Sequence, residues 1–331
     1  MDKLEKNGYM VRQLGAKGEK PDSYIGTDKL FKILNDSAEI EECIPYESII
    51  LRKNDNGKKS DIDYVDTALT MKLSEEVKLI NNVRAKNKVS LKNVPADLLK
   101  DGNALYFAEK IERKDKKTNI DLRTTYLVRI FNDNFLHGGR FYRGVESNMP
   151  KAIRKYLMIN GNETVELDYK ALHLNMLYHK EGIKPKTDPY DDLCKRMPKL
   201  RSIFKLLALT CLNSVDEKKC IQAFREELKT GGLQSLLPDL TDRTLKPMLE
   251  LFKDKHKKIA KYFFTGIGLE LQNMDAEIAH EILLHFAKKG IMVLVVHDSF
   301  IIEKQHENEL KLVMRKIYKE KLRFSPDITI S

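Results

Sequence analysis

Two aspartates lie beside predicted buried strands, where an ionised carboxylate destabilises the fold unless another group compensates its charge. Asp168 ends the alternating segment 164–168, which is typical of a half-buried strand, and a helical pattern follows it. Asp298 interrupts the apolar run 290–296, which resumes at 300–302, and this pattern predicts a hairpin with the acid at its bend. An ionised carboxylate beside a buried strand must be paired or bind a cation. The two acids are therefore candidate metal ligands, although capping a turn is the commoner role for a lone aspartate at a bend.

Two basic residues have a spacing that suits an anionic ligand. Arg201 and Lys205 lie at i and i+4, so on a helix both project from one face and could meet the same phosphate groups. In a chain this rich in lysine, an exposed helical face is the simpler explanation of such a pair taken alone. The pair gains meaning only from the residues that surround it.

The elements that would position these residues change in type along the chain. The polar, turn-rich stretches 53–60 and 113–119 are predicted to be loops, and 62–88 and 95–112 are predicted to be helices with lysine-rich exposed faces. From about residue 120 onward, short β-like runs alternate with longer helical ones. This mixture predicts an α+β or α/β fold.

The composition indicates a globular protein with a polyanionic partner. Of 331 residues, 42% are hydrophobic and 33% are charged, and 59 Lys and Arg against 49 Asp and Glu give a net charge of +10, which favours nucleic acid through counterion release. Because no apolar run approaches the roughly 20 residues that span a bilayer, and 1–20 hold no secretory signal, we expect a cytosolic protein without membrane contact. The cysteines lack metal-ligand spacing and are expected to be reduced thiols: Cys43, Cys194, Cys211 and Cys220.

The segments around both aspartates resemble a known family. VELDYKALHLNMLYH (165–179) resembles motif A of the family A DNA polymerases, and VLVVHDSFIIE (293–303) resembles their motif C. The resemblance implies that Asp168 and Asp298 coordinate two Mg²⁺ ions, which Mn²⁺ can replace, with the backbone carbonyl of Tyr169 as a further ligand.

A third segment resembles the helix that binds the incoming nucleotide in that family. RSIFKLLALTCLNS (201–214) begins with the RxxxK of motif B. The resemblance implies that Arg201 and Lys205 bind the triphosphate, and that Lys205 neutralises its charge and protonates the leaving pyrophosphate.

Further matches concern the primer and template. Gly138-Gly139-Arg140, followed by Ser-Asn-Met-Pro at 147–150, resembles the stretch before motif A whose arginine contacts the minor groove, which implies that role for Arg140. The segment 270–273, before the helix that leads into motif C, resembles a turn that places a glutamine, here Gln272, near the primer terminus. His297 would contact the primer end, or form a hydrogen bond within its own hairpin.

Four residues depart from the DNA polymerase pattern. Ser299 stands where those enzymes have an acid, and His-Asp-Ser resembles the phage-type single-subunit RNA polymerases instead. Asn213-Ser214 replaces the Tyr-Gly that closes motif B, and His173 replaces the glutamate that excludes ribose. Since His173 and Asn213 would shape the sugar pocket, we expect deoxynucleotide incorporation with poor exclusion of ribonucleotides. The alternative is that His173 only packs beneath its helix.

The resemblance covers about 130–305 and implies an α+β right-hand polymerase with an antiparallel-sheet palm. Residues 1–120 would form a helical, basic, thumb-like region, 121–180 the first part of the palm, 181–255 the helical fingers and 256–331 the second part of the palm. Because 120 residues are too few for a proofreading domain plus a thumb, we expect no proofreading. The implied partners are a DNA primer-template and nucleoside triphosphates, and a small accessory protein could relieve weak processivity.

Other functions fit part of the pattern. A primase or a single-subunit RNA polymerase would use the same two aspartates with ribonucleotides. Asp168-Tyr-Lys170 also matches a strand signature of restriction-type nucleases, which needs an upstream acid such as Glu146 or Glu163. A degenerate polymerase would keep the cleft for binding alone. An HD-type phosphohydrolase would need His297-Asp298 on a helix, with further histidine ligands.

Overall fold

The computed structural model covers two compact units of the chain. It describes residues 7, 10–13, 23–30, 47–55, 58–95, 99–100, 103–109, 116–119, 122, 125–194 and 200–330. The units are Met1–Pro45 and Tyr46–Ser331. In the first unit, β1 (Met10–Gln13) and β2 (Ser23–Gly26) pair antiparallel. All of the predicted site residues belong to the second unit.

The second unit is a mixed α+β structure in which most strand pairs are antiparallel. Its strands are β3 (Ile49–Asp55), β4 (Lys58–Ile62), β5 (Val89–Leu91), β6 (Leu99–Lys100), β7 (Asn103–Glu109), β8 (Lys116–Asn119), β9 (Val128–Asn132), β10 (Asn134–Tyr142), β11 (Leu157–Ile159), β12 (Asn162–Tyr169), β13 (Leu294–Val296), β14 (Ser299–Glu303) and β15 (Ile328–Ile330). Its helices are α1 (Ala68–Ala85), α2 (Lys151–Arg154), α3 (Leu172–Lys180), α4 (Asp191–Cys194), α5 (Arg201–Asn213), α6 (Glu217–Thr230), α7 (Asp242–Lys255), α8 (Gly268–Ala287) and α9 (Glu307–Leu322).

The described strands of this unit form three sheets. One has the order β10-β9-β3-β4, in which β3 and β9 run parallel, and a second has the order β6-β7-β8. The third has the order β13-β14-β12-β11-β5, and β15 also pairs with β12. The two predicted motifs meet in this third sheet, because Leu167 of β12 lies opposite Phe300 of β14. Leu167 and Phe300 are both buried, so the hydrophobic effect fixes this register.

The helical prediction for 62–88 is confirmed in narrower form by α1. This helix begins after Thr67, which forms a capping box with Thr70. The prediction of a helix over 95–112 is wrong, because strands β6 and β7 lie there and pair antiparallel. The helical description of 1–120 is wrong as well, since in the described part of that stretch strands β1 to β8 accompany α1.

Helices α5 and α6 lie side by side and form part of the main hydrophobic core. Asp216 starts α6, because its side chain accepts a hydrogen bond from the backbone N–H of Lys219 at 2.7 Å. Cys211 of α5 and Cys220 of α6 are buried free thiols whose Sγ atoms lie 3.6 Å apart, which agrees with the expected reduced state. Cys43 and the side chain of Cys194 lie outside the described part of the structure.

A buried ion pair ties α1 to the strand that precedes Asp298. Arg84 Nη2 lies 2.9 Å from both carboxylate oxygens of Glu146, and both side chains are almost completely buried. Arg84 Nη1 donates to the backbone carbonyl of Val293 at 2.9 Å, and Glu146 accepts from the backbone N–H of Val295 at 3.1 Å. Removing one member of such a pair typically costs about 3–5 kcal/mol, because the other charge stays buried. The start of the β13–β14 hairpin is therefore held from both sides.

Candidate active site

Strand pairing brings Asp168 and Asp298 together. Asp168 lies opposite Ser299 in the β12–β14 register, and Asp298 is the residue immediately before Ser299. The hairpin between β13 and β14 turns at His297, whose φ of 58° is left-handed. Directly opposite residues in an antiparallel pair have Cα atoms roughly 4.5–5.5 Å apart. The two carboxylates therefore share one end of the sheet.

The electrostatics of the pair suit a bound cation. Burial and the negative charge of Asp298 raise the pKa of Asp168 to about 6. Burial also raises the pKa of Asp298. Both shifts mean that the charged forms are disfavoured until a positive charge compensates them. Mg²⁺ is commonly held by one or two carboxylates together with water and substrate phosphates, so these two ligands match its needs.

An open cleft of about 440 Å³ lies in front of the two carboxylates. Its walls come from the end of β12, the first turn of α3 and one face of α5. The cleft brings together most of the predicted site residues: Arg140, Asp168, Tyr169, His173, Arg201, Lys205 and Asp298. Lys205 is exposed on α5 and forms no ion pair in the described part of the chain. Its ammonium is therefore available to an anion that enters the cleft.

Arg201, by contrast, is already bound by a carboxylate that the sequence analysis missed. Arg201 Nη1 and Nη2 donate to the two oxygens of Asp188 at 3.0 and 2.6 Å, and Lys170 Nζ lies 3.1 Å from the same group. Burial alone would raise the pKa of Asp188, but hydrogen bonds from Arg201, the backbone of Tyr190 and Lys170 lower it to about 2. The Arg201 guanidinium also lies over the Tyr190 ring, 5.1 Å from its centroid. Arg201 is thus fixed against the cleft wall.

A second missed carboxylate, Asp275 of α8, holds two predicted site residues at once. His173 Nε2 lies 2.7 Å from Asp275 Oδ2, and Arg140 Nε donates to Asp275 Oδ1 at 3.0 Å. Arg140 Nη2 is bonded to the same carboxylate and lies 3.3 Å from His173 Nε2. Burial raises the pKa of Asp275, and the hydrogen bonds from His173 and Arg140 outweigh it, so the pKa is lowered overall. His173 and Arg140 are therefore ordered by a buried anion.

The remaining predicted residues do not line the cleft. Asn213 is exposed, and its Nδ2 donates to the carbonyl of Leu209 at 2.8 Å on its own helix. Gln272 lies inside α8 and not before a helix, so the predicted turn at 270–273 is wrong. His297 is exposed at the hairpin bend, with its ring 6.2 Å from that of Tyr142.

Tyr169 enters the site through its backbone, because its side chain is used elsewhere. The ring is buried, and its hydroxyl donates to the carbonyl of Met314 at 2.8 Å. Thr329 of β15 lies opposite Asp168 and contributes to the cleft beside it. The Tyr169 ring therefore anchors the strand that carries Asp168, and its role as a carbonyl ligand stays a prediction.

The nuclease signature is not completed around Asp168. Lys170 is paired with Asp188, and Glu146 is buried against Arg84, so neither is directed at the Asp168 carboxylate. Glu163 is exposed, 3.8 Å from Lys304. No group of three or more His, Cys, Asp or Glu side chains that could hold a metal ion occurs among the described residues. A metal at this site would thus depend on the aspartate pair and on oxygens of a bound substrate.

Comparisons with known proteins give remote structural likeness and no match in sequence. No family model matches the chain, and no curated protein matches it either. A solved structure that resembles it is the POL domain of Pol1 from M. smegmatis in complex with DNA primer-template and dNTP, with a TM-score of 0.35 and 13% identity over 62% of this chain. The chain spans about half the length of that domain, 47%.

In the described part of the chain, no helix is long and apolar enough to cross a membrane.

Proposed function

We propose that this protein is a template-dependent nucleotidyltransferase that extends the 3′ end of a nucleic acid with nucleoside triphosphates. The observation that carries the proposal is the pair of neighbouring carboxylates, Asp168 and Asp298, which face Lys205 across one cleft. Phosphoryl transfer needs little covalent chemistry from the protein, so positioning and charge compensation supply most of the catalysis. In this proposal the third sheet is the palm, and α5 to α7 belong to the fingers.

Five charged residues of the cleft have a proposed task. Asp168 and Asp298 would hold two Mg²⁺ ions, and bound magnesium would supply activation of the attacking 3′-hydroxyl and charge compensation for the leaving pyrophosphate. Lys205 binds the triphosphate and donates a proton to the departing pyrophosphate oxygen. Arg201 is bidentate to Asp188, so we assign it to the positioning of α5 and Lys205 to the phosphates. Arg140, held by Asp275, faces the primer-template.

The proposed product is DNA, made with weak discrimination against ribonucleotides. Only His173 of the two predicted sugar-pocket residues lines the cleft, because Asn213 is bonded to its own helix. A pocket closed from one side excludes a 2′-hydroxyl poorly. A primase-like or RNA-polymerizing activity is the alternative, and it differs in which nucleotide set supports extension. The lack of proofreading stays a prediction, and a 3′-mismatched primer that stays untrimmed without nucleotides would support it.

The test is extension of a primed template by wild type and by Asp298→Asn, with Asp254→Asn as the matched control. Asp254 is exposed on α7, so its variant has the same change of charge outside the cleft. We expect magnesium-dependent extension by wild type and the control, and a loss of at least about 100-fold in Asp298→Asn. Binding of the primed template should persist in all three proteins. Shortening of the primer would establish a nuclease, and binding without extension would establish a binding protein.

A second readout does not depend on turnover. Because the pKa values of Asp168 and Asp298 are raised, Mg²⁺ should raise the thermal midpoint of wild type by relieving their repulsion. Asp298→Asn should lose this response, while Asp254→Asn keeps it. An equal magnesium response in all three proteins would contradict the assignment of the metal site.

A further inference from the structure

A second groove, about 440 Å³ in volume, lies between the β3–β4 hairpin and α1. One face of α1 forms a wall through Met71, Ser74, Glu75 and Lys78, which follow one another at helical spacing. Seven residues of helix rise by roughly 10 Å, which matches about three residues of an extended peptide. None of the residues that line this groove belongs to the candidate active site.

The groove is acidic, although the chain as a whole carries a net charge of +10. Asp61 at its rim is neutralised by Arg52, whose Nε donates at 2.7 Å. Four further carboxylates line it and form no ion pair within the described residues: Glu47, Asp63, Asp66 and Glu75. Several unpaired carboxylates around one depression create a negative potential that attracts a cationic group.

A buried hydroxyl in the same groove gives a second and independent indication of a ligand. Ser48 is 2% exposed and lines the groove, and its Oγ has no hydrogen-bond partner. Buried polar atoms in native proteins are nearly always satisfied, so an unsatisfied one beside an open space calls for an explanation. A donor group of a ligand in the groove would provide the missing bond.

The remaining features suit a peptide chain. Ile62, Tyr64 and Met71 give the groove apolar surface, and Met71 is 52% exposed. Strand β4 is at the end of its sheet in the described topology, so its outer edge has backbone groups that can pair with an added strand. The carboxylates are too dispersed for a metal, since no group of three potential ligands occurs in the described part of the chain.

We propose that this groove binds a basic, extended peptide segment of another protein. The segment pairs with the edge of β4, its apolar side chains cover Ile62 and Met71, and its arginine or lysine heads meet the free carboxylates. One of its donor groups bonds to Ser48 Oγ. Such a partner would be recruited beside the cleft-bearing sheet without entering the cleft. The proposal does not rest on the proposed catalytic activity.

The test is calorimetric titration of the full chain with acetyl-Val-Arg-Val-Arg-Val-amide, with the Val-Gln-Val-Gln-Val analogue as the neutral probe. We expect one peptide to bind per chain. The neutral probe should bind the wild-type chain at least about tenfold more weakly than the basic peptide does, and the basic peptide should bind the double variant Asp63→Asn, Glu75→Gln more weakly by a similar factor. Ser48→Ala should weaken binding as well. A matched double variant, Asp254→Asn, Glu226→Gln, removes two exposed acids outside the groove and should bind as wild type does.

Three results would overturn the proposal. The first is that the basic peptide does not bind wild type at millimolar concentration. The second is that it binds the groove variant and the matched control equally. The third is that the chain self-associates and the groove variant abolishes this self-association. The last result would identify a second copy as the occupant. Primer-extension assays on the same proteins distinguish the peptide-binding proposal from the proposed polymerase activity, because the groove variants should extend a primer as wild type does. Failure of extension in every protein would leave the peptide result intact.

Discussion

At the scale of single residues, Asp275 of α8 fixes the positions of two side chains that line the cleft. It is buried and accepts hydrogen bonds from both His173 and Arg140. With Asp275 as acceptor, the imidazole keeps one orientation, and its other nitrogen is left for a ligand. If His173 shapes the sugar pocket, then Asp275 acts through it as a positioning residue.

We therefore predict that Asp275→Asn weakens sugar discrimination in the same direction as His173→Ala. The substituted amide keeps the shape but loses the charge that fixes His173 and Arg140, so a change of about 3-fold to 10-fold in the ratio of deoxyribonucleotide to ribonucleotide incorporation is expected. Single-nucleotide extension with matched nucleotide pairs measures this ratio.

The combined variant makes the coupling testable. If Asp275 works through His173, Asp275→Asn should add little to the ratio in a His173→Ala background. Glu270→Gln, an exposed position near the start of α8, is the matched control and should leave the ratio unchanged. A ratio that responds to neither His173→Ala nor Asp275→Asn would show that these residues do not select the sugar.

At the scale of elements, the helical layer depends on a buried histidine at the end of α7. His256 is completely buried, and its Nδ1 lies 2.9 Å from the hydroxyl of Tyr178 on α3. Burial lowers the pKa of His256 to about 4, while Nε2 has no hydrogen-bond partner. This hydrogen bond joins α3, whose first turn lines the cleft, to the end of α7. The protonation state of His256 therefore affects how these two helices pack.

This histidine predicts a loss of stability in mild acid. The unfolded chain protonates His256 near pH 6.5 and the folded chain only near pH 4, so its contribution is complete above pH 6.5 and lost as the pH falls towards 4. Between pH 7 and pH 5 the expected loss of unfolding free energy is about 2 kcal/mol. Urea unfolding at both pH values should show this loss in wild type and in the control His306→Gln. A His256→Gln variant with the same pH dependence would contradict it.

The elements that sequence alone could predict are those whose pattern is set locally. Burial of one face produces the alternation before Asp168, and burial of both faces produces the apolar run before Asp298. The antiparallel pairing of β6 with β7 is not predicted, because the lysine spacing over 95–112 favours a helix. The sequence nevertheless contains Asp-Gly at 101–102, and this dipeptide is a typical hairpin signal.

The site itself could be predicted only in part, for a related reason. Asp168 and Asp298 lie within distinctive local patterns, so their roles could be proposed before their contact was known. Asp188 and Asp275 have no such pattern, and their importance comes entirely from residues distant in sequence. Similarly, whether Arg201 is available to a phosphate depends on Asp188, a partner that helical spacing cannot reveal.

At the scale of the whole molecule, basic side chains also gather on the sheet that carries the two aspartates. A depression of about 500 Å³ next to β12 and β14 is lined by Lys151, Arg154, Lys155 and Lys304, together with the carboxylates of Glu166 and Glu307. Arg154 is paired with Glu166, which leaves the three lysines as the basic groups to consider. Lys151 is close enough to Asp168 to act electrostatically on its carboxylate. We infer that Lys151 and Lys155 contact the phosphates of a bound duplex, because such contacts release counterions.

We predict that DNA binding weakens steeply with salt, with a slope of log affinity against log salt of about −3 or steeper. The double variant Lys151→Gln, Lys155→Gln should reduce this slope by about 2, because each lost phosphate contact removes about one released counterion. Fluorescence anisotropy with a primed duplex at several salt concentrations measures both slopes. The double variant Lys316→Gln, Lys319→Gln, with both changes on α9, is the control and should match wild type. A salt-independent affinity would count against a nucleic-acid cleft.

The buried bridge between Arg84 and Glu146 also sets the order in which the molecule can assemble during synthesis. Arg84 and Glu146 are both translated well before Val293 and Val295, whose backbone groups complete the bridge. Until those residues arrive, the ion pair has an incomplete set of hydrogen-bond partners, and the strand that carries Asp168 lacks its neighbour β14. The pair of carboxylates therefore forms only after the chain has been synthesised as far as β14. The same long-range closure makes folding slow relative to a chain with local contacts, and α9, which supplies further core residues, is synthesised later still.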